Sequence, residues 1–192
     1  RLIAPGSGNT TYNLPSGVTI VEALNFNRTN TNLAFMGSSD IYRSTDVQNA
    51  TPTWTQISTF SETIMSIHSC VADPDRLYVL TSDQKIYVST NALSATPTFT
   101  PYDLPTASHT IATVTAICNN ANTVYISINN RVYRSADGGQ TWTNITYNLP
   151  SVNHRRILSE AYYGTEELVF VATNNAVYYK KAGQTTWTNY ST

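Results

Sequence analysis

Residues 131–142 read Arg-Val-Tyr-Arg-Ser-Ala-Asp-Gly-Gly-Gln-Thr-Trp, and the outline of this stretch recurs along the 192-residue chain. Each copy contains a β-branched residue followed by tyrosine, then a polar turn and an aromatic anchor. The β-branched pairs are Ile41-Tyr42, Ile86-Tyr87, Val132-Tyr133 and Val177-Tyr178. The anchors are Trp54, Phe99, Trp142 and Trp187. Successive pairs lie about 45 residues apart, so the chain is built from four similar units.

The spacing of these units predicts the fold. A repeat of roughly 40 to 50 residues composed of short strands is typical of β-propeller blades, each with about four strands. The predicted first strands are 21–24, 67–70, 114–117 and 157–160. The predicted second strands are 33–36, 77–80, 124–127 and 169–172. Because the second strands are short and largely apolar, they suit buried central positions. We predict an all-β protein, a β-propeller with four recognisable four-stranded blades.

A repeated linker gives the domain organisation. The sequence Thr-Tyr-Asn-Leu-Pro-Ser occurs at 11–16 and again at 146–151, where it leads from one unit to the next. We therefore interpret residues 1–18 as the exit of a preceding blade. The four blades are then predicted at 19–60, 61–105, 106–150 and 151–192. On this interpretation the chain is a segment of a larger propeller or multidomain protein, with additional domains or partner subunits. A closed four-bladed ring is the alternative.

Composition restricts the function classes. Charged residues make up 12% of the chain and the net charge is −1, so no basic surface is expected to bind nucleic acid. No apolar run approaches the roughly 18 residues of a membrane span, which argues against direct membrane insertion. The abundance of Asn, Thr and Ser suits polar turns on an extracellular or bacterial cell-surface protein.

One turn carries a specific resemblance. The third unit matches the pattern Ser-x-Asp-x-Gly-x-Thr-Trp at Ser135, Asp137, Gly139, Thr141 and Trp142. This stretch resembles the Asp-box, or BNR, repeat of sialidase-like and sortilin-like propellers. The other units keep fewer positions of the motif: Ser44, Asp46 and Trp54 in the first, Ser89, Asn91 and Phe99 in the second, Gly183, Thr186 and Trp187 in the fourth.

Elementary stereochemistry gives the turn a structural role. An Asp side chain can accept backbone N–H bonds across its own turn, and glycine supplies the positive φ that a tight reversal requires. We therefore predict that Asp137 stabilises a hairpin and is neither a catalytic acid nor a metal ligand. We also predict that the first strand of each blade is nearest the ring axis. The four aromatic anchors are expected to be buried on the fourth strands.

Signals for catalysis are weak. Glycoside hydrolysis requires two carboxyl groups roughly 5 to 9.5 Å apart. Glu22 and Glu160 are the weak channel-site candidates, because first strands line the channel of a propeller. We expect each to be an isolated, solvated carboxylate, and we assign no catalytic residue.

Signals for a metal or cofactor are equally weak. His68, His109 and His154 occupy different places in their repeats and show no zinc-site spacing, so no metal and no cofactor are expected. Cys70 and Cys118 are interpreted as small buried apolar side chains, with a disulfide as the alternative.

A second resemblance concerns the setting of the domain. Trp-Thr-Asn-Ile at 142–145, Asn-Leu-Pro at 148–150 and the apolar strands at 169–179 are similar to propeller modules of surface proteins exported by the type IX secretion system. The resulting hypothesis is a non-catalytic binding module that presents loops to a protein or polysaccharide. The alternatives are a partial glycoside hydrolase, sialidase-like or xyloglucanase-like, completed by missing blades, and a structural spacer or assembly factor.

Overall fold

The computed structural model describes residues 23–106, 112–117, 120–162 and 166–190. All regular elements in these ranges are β-strands, and they form four four-stranded antiparallel sheets without a helix. We call the sheets blades 1 to 4 in chain order. The predicted all-β propeller fold with four four-stranded blades is confirmed.

Each blade is a meander in which consecutive strands pair. Blade 1 contains β1 (Ala23–Phe26), β2 (Ala34–Gly37), β3 (Asp40–Ser44) and β4 (Thr55–Thr59). Blade 2 contains β5 (Ile64–Ser69), β6 (Leu77–Thr81), β7 (Lys85–Ser89) and β8 (Thr100–Asp103). Blade 3 contains β9 (Ala112–Ile117), β10 (Asn120–Ile128), β11 (Arg131–Ser135) and β12 (Thr143–Asn144). Blade 4 contains β13 (His154–Tyr162), β14 (Glu166–Thr173), β15 (Val177–Lys181) and β16 (Thr188–Asn189).

The hydrophobic cores lie between neighbouring blades. In β6, Leu77 and Val79 pack in the core shared with blade 1, whereas Tyr78 and Leu80 pack in the core shared with blade 3. Because side chains of a strand alternate between its two faces, one central strand supplies two cores. This explains why the predicted second strands are apolar at nearly every position, with Ser127 as the exception, rather than at alternate positions.

The first strands of successive blades pack against each other along the inner side of the arc. Polar side chains connect them: the Oδ1 of Asn25 accepts hydrogen bonds from the backbone N of Ser69 at 2.9 Å and from its Oγ at 2.6 Å. Between blades 3 and 4, the backbone N of Ser159 donates to Thr115 Oγ1 at 3.3 Å. The first strands therefore join neighbouring blades through hydrogen bonds as well as through apolar contacts.

The first strands differ from the prediction in their bounds. β5 begins at Ile64 and β13 spans His154–Tyr162, so both are longer than the predicted four residues. The prediction followed apolar runs, but the first strands continue through polar residues that still pair with the second strand. The predicted interval 1–18 lies outside the described residues.

The anchors also differ from the prediction. Each lies directly before the fourth strand of its blade instead of on it. Trp187 is buried, but Trp54, Phe99 and Trp142 are half-buried. Trp187 is covered because the link after β12 closes over it: its Nε1 donates to the Ile145 carbonyl at 2.9 Å.

Candidate functional site

The turn that follows β11 is held by the carboxylate of Asp137. Its Oδ1 accepts from Ser135 Oγ at 2.6 Å and from the backbone N of Thr141 at 2.9 Å, while its Oδ2 accepts from Thr141 Oγ1 at 2.6 Å. Gly138 and Gly139 have φ values of 76° and 98°, a region that favours glycine. Hydrogen bonds from Ser135 and Thr141 lower the pKa of Asp137 to about 2. A carboxylate bonded in this way stabilises its own turn.

Blades 1 and 2 build comparable turns from longer loops. Asp46 accepts from Ser44 Oγ at 2.9 Å and from the backbone N of Thr53 at 2.8 Å. The hydrogen bond from the Thr53 backbone is the main cause of the lowered pKa of Asp46. In blade 2, Asn91 Oδ1 accepts from Ser89 Oγ at 3.1 Å and from Thr98 N at 2.9 Å. Thr53 and Thr98 therefore make the hydrogen bond that Thr141 makes in blade 3. Each lies seven residues after its Asp or Asn, whereas Thr141 lies four residues after Asp137, so the sequence did not reveal the equivalence.

The side chains of the two channel candidates, Glu22 and Glu160, lie outside the described part of the structure. Glu22 lies outside the described residues. Glu160 lies in β13 with its backbone opposite Leu168, and its side chain is outside the description. Their role as a channel site stays a prediction.

Among the described histidines and cysteines, His154 and Cys70 are buried. His154 is 1% exposed, with Nδ1 3.0 Å from Ser127 Oγ, and burial lowers its pKa to about 4. Burial likewise raises the pKa of the Cys70 thiol. His109 and Cys118 lie outside the described residues, so the disulfide alternative stays untested. Within the described ranges, no cluster of three or more His, Cys, Asp or Glu side chains could hold a metal ion. Nor do those ranges contain a helix long and apolar enough to span a membrane.

A cleft of about 360 Å³ opens between blades 3 and 4. Tyr125, Arg134 and Tyr147 line it from blade 3 and the link that follows, and Lys180 and Gln184 line it from blade 4. We call it the blade 3–4 cleft. Its two cations come from different blades, so only the packing of those blades brings them together.

The blade 3 wall of this cleft is ordered by hydrogen bonds. Tyr125 Oη donates to Glu167 Oε1 and accepts from Arg134 Nε at 3.3 Å. Burial, followed by the interaction with Glu167, raises the pKa of Tyr125. The phenol therefore remains protonated and holds the guanidinium of Arg134 in position through Nε.

The blade 4 wall contains a buried lysine. Lys180 is 4% exposed; its Nζ donates to the Lys181 carbonyl at 3.0 Å and lies 5.8 Å from the centroid of the Trp187 ring. Burial lowers the pKa of Lys180. Burying an ammonium group costs free energy unless nearby groups compensate its charge. A buried lysine beside an open cleft is therefore a candidate binding residue.

An exposed tyrosine stands at the edge of the cleft. Tyr147 is 47% exposed and adopts a φ of 44°, an uncommon conformation for a residue other than glycine. The next residue fixes the link: Asn148 Oδ1 accepts from the backbone N of Trp187 at 2.7 Å, and its Nδ2 donates to the Trp187 carbonyl at 3.0 Å. The link to blade 4 therefore holds the Tyr147 backbone in place.

Sequence reasoning did not identify Arg134, Tyr147 or Lys180. A signal was present in the repeat, because Lys180 occupies the position of the turn serines Ser44, Ser89 and Ser135. Nothing in the sequence indicated that this substitution faces Arg134 across a cleft.

Comparison with known families places this architecture. The model of the DUF6242 beta propeller domain matches residues 95–192, which is just over half of the chain. The chain belongs to this family. A comparison with curated proteins found no significant match.

Three solved structures illustrate what this DUF6242 propeller is similar to. The GH74 enzyme of Niastella koreensis is 24% identical with a TM-score of 0.65, over 89% of this chain and 24% of that protein. YCF48 from Cyanidioschyzon merolae is 12% identical with a TM-score of 0.58, over 88% of this chain and 55% of that one. YCF48 bound to D1 peptide is 13% identical with a TM-score of 0.58, over 88% and 53%. The chain thus spans about a quarter to a half of these proteins, and the likeness concerns the fold.

Proposed function

We propose that this propeller is a non-catalytic binding module that presents the blade 3–4 cleft to an external ligand. The observation that carries the proposal is the cleft itself, where two cations and an exposed tyrosine meet on a fixed scaffold. Concave sites with a few convergent polar groups are the usual form of a binding site. The proposed ligand is a protein or a polysaccharide.

We further propose that the three hydrogen-bonded turns are Asp-box, or BNR, turns with a structural role, as in sialidase-like propellers. The support is that both carboxylate oxygens of Asp137 accept hydrogen bonds from within the turn. Such a carboxylate is already used locally, so it is a poor general acid.

The setting proposed for the module is extracellular or on a bacterial cell surface, within a larger protein that carries additional blades or domains. One structural feature supports additional blades: among the described strands, β13 packs on β9 and β1 packs on β5, and no comparable packing joins β1 to β13. The described sheets therefore form an open arc. Export by a type IX system is part of the same proposal.

A glycoside hydrolase is the second candidate, favoured by the likeness to the GH74 enzyme of Niastella koreensis. Under that alternative, blades beyond this chain complete an active site. For that active site the described residues offer one candidate strand, β13 with Glu160, whereas several described polar side chains line the cleft.

The test uses the intact protein with a panel of purified polysaccharides and surface proteins, measuring binding and released reducing ends in parallel. Saturable binding of a panel member without release of product is the expected result. Turnover of a polysaccharide would favour the hydrolase. The absence of both binding and turnover across the panel would favour a structural spacer.

A further inference from the structure

We propose that the blade 3–4 cleft recognises a carboxylate group on an acidic polysaccharide, with Arg134 and Lys180 as the paired cations and Tyr147 beside the sugar ring. This inference rests on the proposed binding function and names the class of ligand. It assigns a role to the place where the fourth repeat departs from the other three.

The first step concerns what blade 4 has lost. In blades 1 to 3 a buried serine and an Asp or Asn two residues later hold the turn after the third strand. In blade 4 these two positions are Lys180 and Ala182. Blade 4 therefore has an ammonium group where the other blades have the serine hydroxyl, and a methyl group where they have the carboxylate or amide. Lys180 contacts the Lys181 carbonyl and the Trp187 ring, but it does not restore the hydrogen bonds of the turn. A residue that departs from the pattern of its own repeat at the wall of a cleft is a candidate functional residue.

The second step compares two arginines at the same repeat position. Arg43 follows Tyr42, and its Nη1 donates to the carbonyls of Ala92 at 2.6 Å and Ser94 at 2.9 Å in the turn of blade 2. Arg134 follows Tyr133 in the same way, but within the described residues its hydrogen bond is made by Nε, to Tyr125. Arg43 therefore joins two blades through its guanidinium, whereas Arg134, at the same repeat position, lines the cleft.

The third step is the charge of the cleft. Among the described residues, Lys180 forms no ion pair; its hydrogen bond is to a backbone carbonyl. Glu167 acts on Lys180 electrostatically but accepts its hydrogen bond from Tyr125. Two cations facing one carboxylate leave a net positive charge. An incoming carboxylate would neutralise it, and charge-assisted hydrogen bonds of this kind are strong.

The fourth step separates a sugar from a peptide. A peptide that binds through its backbone adds a strand to a free sheet edge. β10, β11 and β15, which carry Tyr125, Arg134 and Lys180, have both edges paired with neighbouring strands. The edge strand β12, whose Thr143 also lines the cleft, is only two residues long and offers little backbone for an added strand. The cleft instead offers a polar wall: Gln184 Oε1 accepts from Lys181 N at 3.0 Å, which orients the amide. The exposed ring of Tyr147 adds a flat apolar surface suited to a pyranose ring.

The experiment measures binding to the intact protein by calorimetry with three probes. These are a galacturonic acid hexamer, the same hexamer with its carboxyl groups reduced, and a hexaglutamate peptide. We expect the galacturonic acid hexamer to bind, with an affinity that falls as salt rises. The reduced hexamer should bind at least roughly 10-fold more weakly, because it cannot accept charge-assisted hydrogen bonds.

Substitutions locate the binding. Arg134→Gln, Lys180→Met and Tyr147→Ala should each weaken binding of the galacturonic acid hexamer by roughly 10-fold or more. Lys85→Gln is the matched control, since it removes one positive charge from an exposed pair with Asp103 on blade 2. It should leave the affinity unchanged. If Lys180→Met fails to fold, Arg134→Gln and Tyr147→Ala decide the result.

The outcomes separate this inference from the function on which it rests. Equal binding of both hexamers would overturn carboxylate recognition and leave the binding function standing. Binding of hexaglutamate in preference to the sugar would replace the polysaccharide with an acidic protein partner. If none of the probes binds, or if Lys85→Gln weakens binding as much as Arg134→Gln, the assignment of this cleft is wrong. The binding function is then tested only by the panel of polysaccharides and surface proteins.

Discussion

Replacing Trp187 with alanine is expected to destabilise the propeller far more than the same change at Trp54. Trp187 is 2% exposed and Trp54 is half-buried, although the two occupy the same repeat position. Removing a buried tryptophan costs about 3 to 5 kcal/mol. The Ile145 carbonyl would also lose the hydrogen bond from Trp187 Nε1, which places the expected loss at the upper end of that range.

The half-buried Trp54 removes less apolar area from water, so about 2 kcal/mol is expected for its replacement. Trp187→Phe keeps a buried ring but leaves the carbonyl without its partner, and about 1 to 2 kcal/mol is expected. The assay is urea unfolding followed by circular dichroism, in which all variants should keep the slope of the wild type.

Equal losses for Trp54→Ala and Trp187→Ala would refute this reasoning, because they would mean that repeat position alone sets the energy. A loss below about 1.5 kcal/mol for Trp187→Ala would show that the interface between blades 3 and 4 contributes little to the stability of the fold.

Two further predictions concern single side chains. Asp137→Ala should lower the free energy of unfolding by about 1 to 3 kcal/mol, whereas Asp137→Asn should cost less because Asn91 holds the equivalent turn of blade 2; indistinguishable urea midpoints would contradict this. Because the pKa of buried His154 is lowered to about 4, the unfolded chain binds this proton first, and stability should fall between about pH 6.5 and 4 by roughly 3 kcal/mol. His154→Gln should flatten that part of the pH profile, and an unchanged slope would show that another group is responsible.

Much of the fold could be predicted from the sequence because its determinants are local and repeated. The pairs from Ile41-Tyr42 to Val177-Tyr178 all lie on the third strands. The second strands overlap their predicted ranges, although β10 and β14 extend beyond them. Hydrophobic runs and turn residues determine strands and turns within a few positions along the chain, so each repeat can be predicted separately. The lengths of β5 and β13 were predicted too short, because hydrogen bonds to a neighbouring strand extend these strands through polar residues.

The candidate site could be predicted from the sequence only in part. The hydrogen bonds of Asp137 were predictable because its partners lie within four residues of it. The blade 3–4 cleft was not predictable, because Arg134 and Lys180 are about 45 residues apart and meet only when two blades pack. The burial of the four anchors was likewise decided by what covers each ring.

The sequence by itself therefore determined the repeat, the strand type and the stabilising turns, since each depends on the periodicity and stereochemistry of a short segment. Only the tertiary structure decided which side chains share a cleft, that Lys180 is buried without an ion pair in the described part of the chain, and that Trp187 alone among the anchors is fully covered. Burial and charge compensation depend on groups distant in sequence, and only the packing of blades brings these groups together.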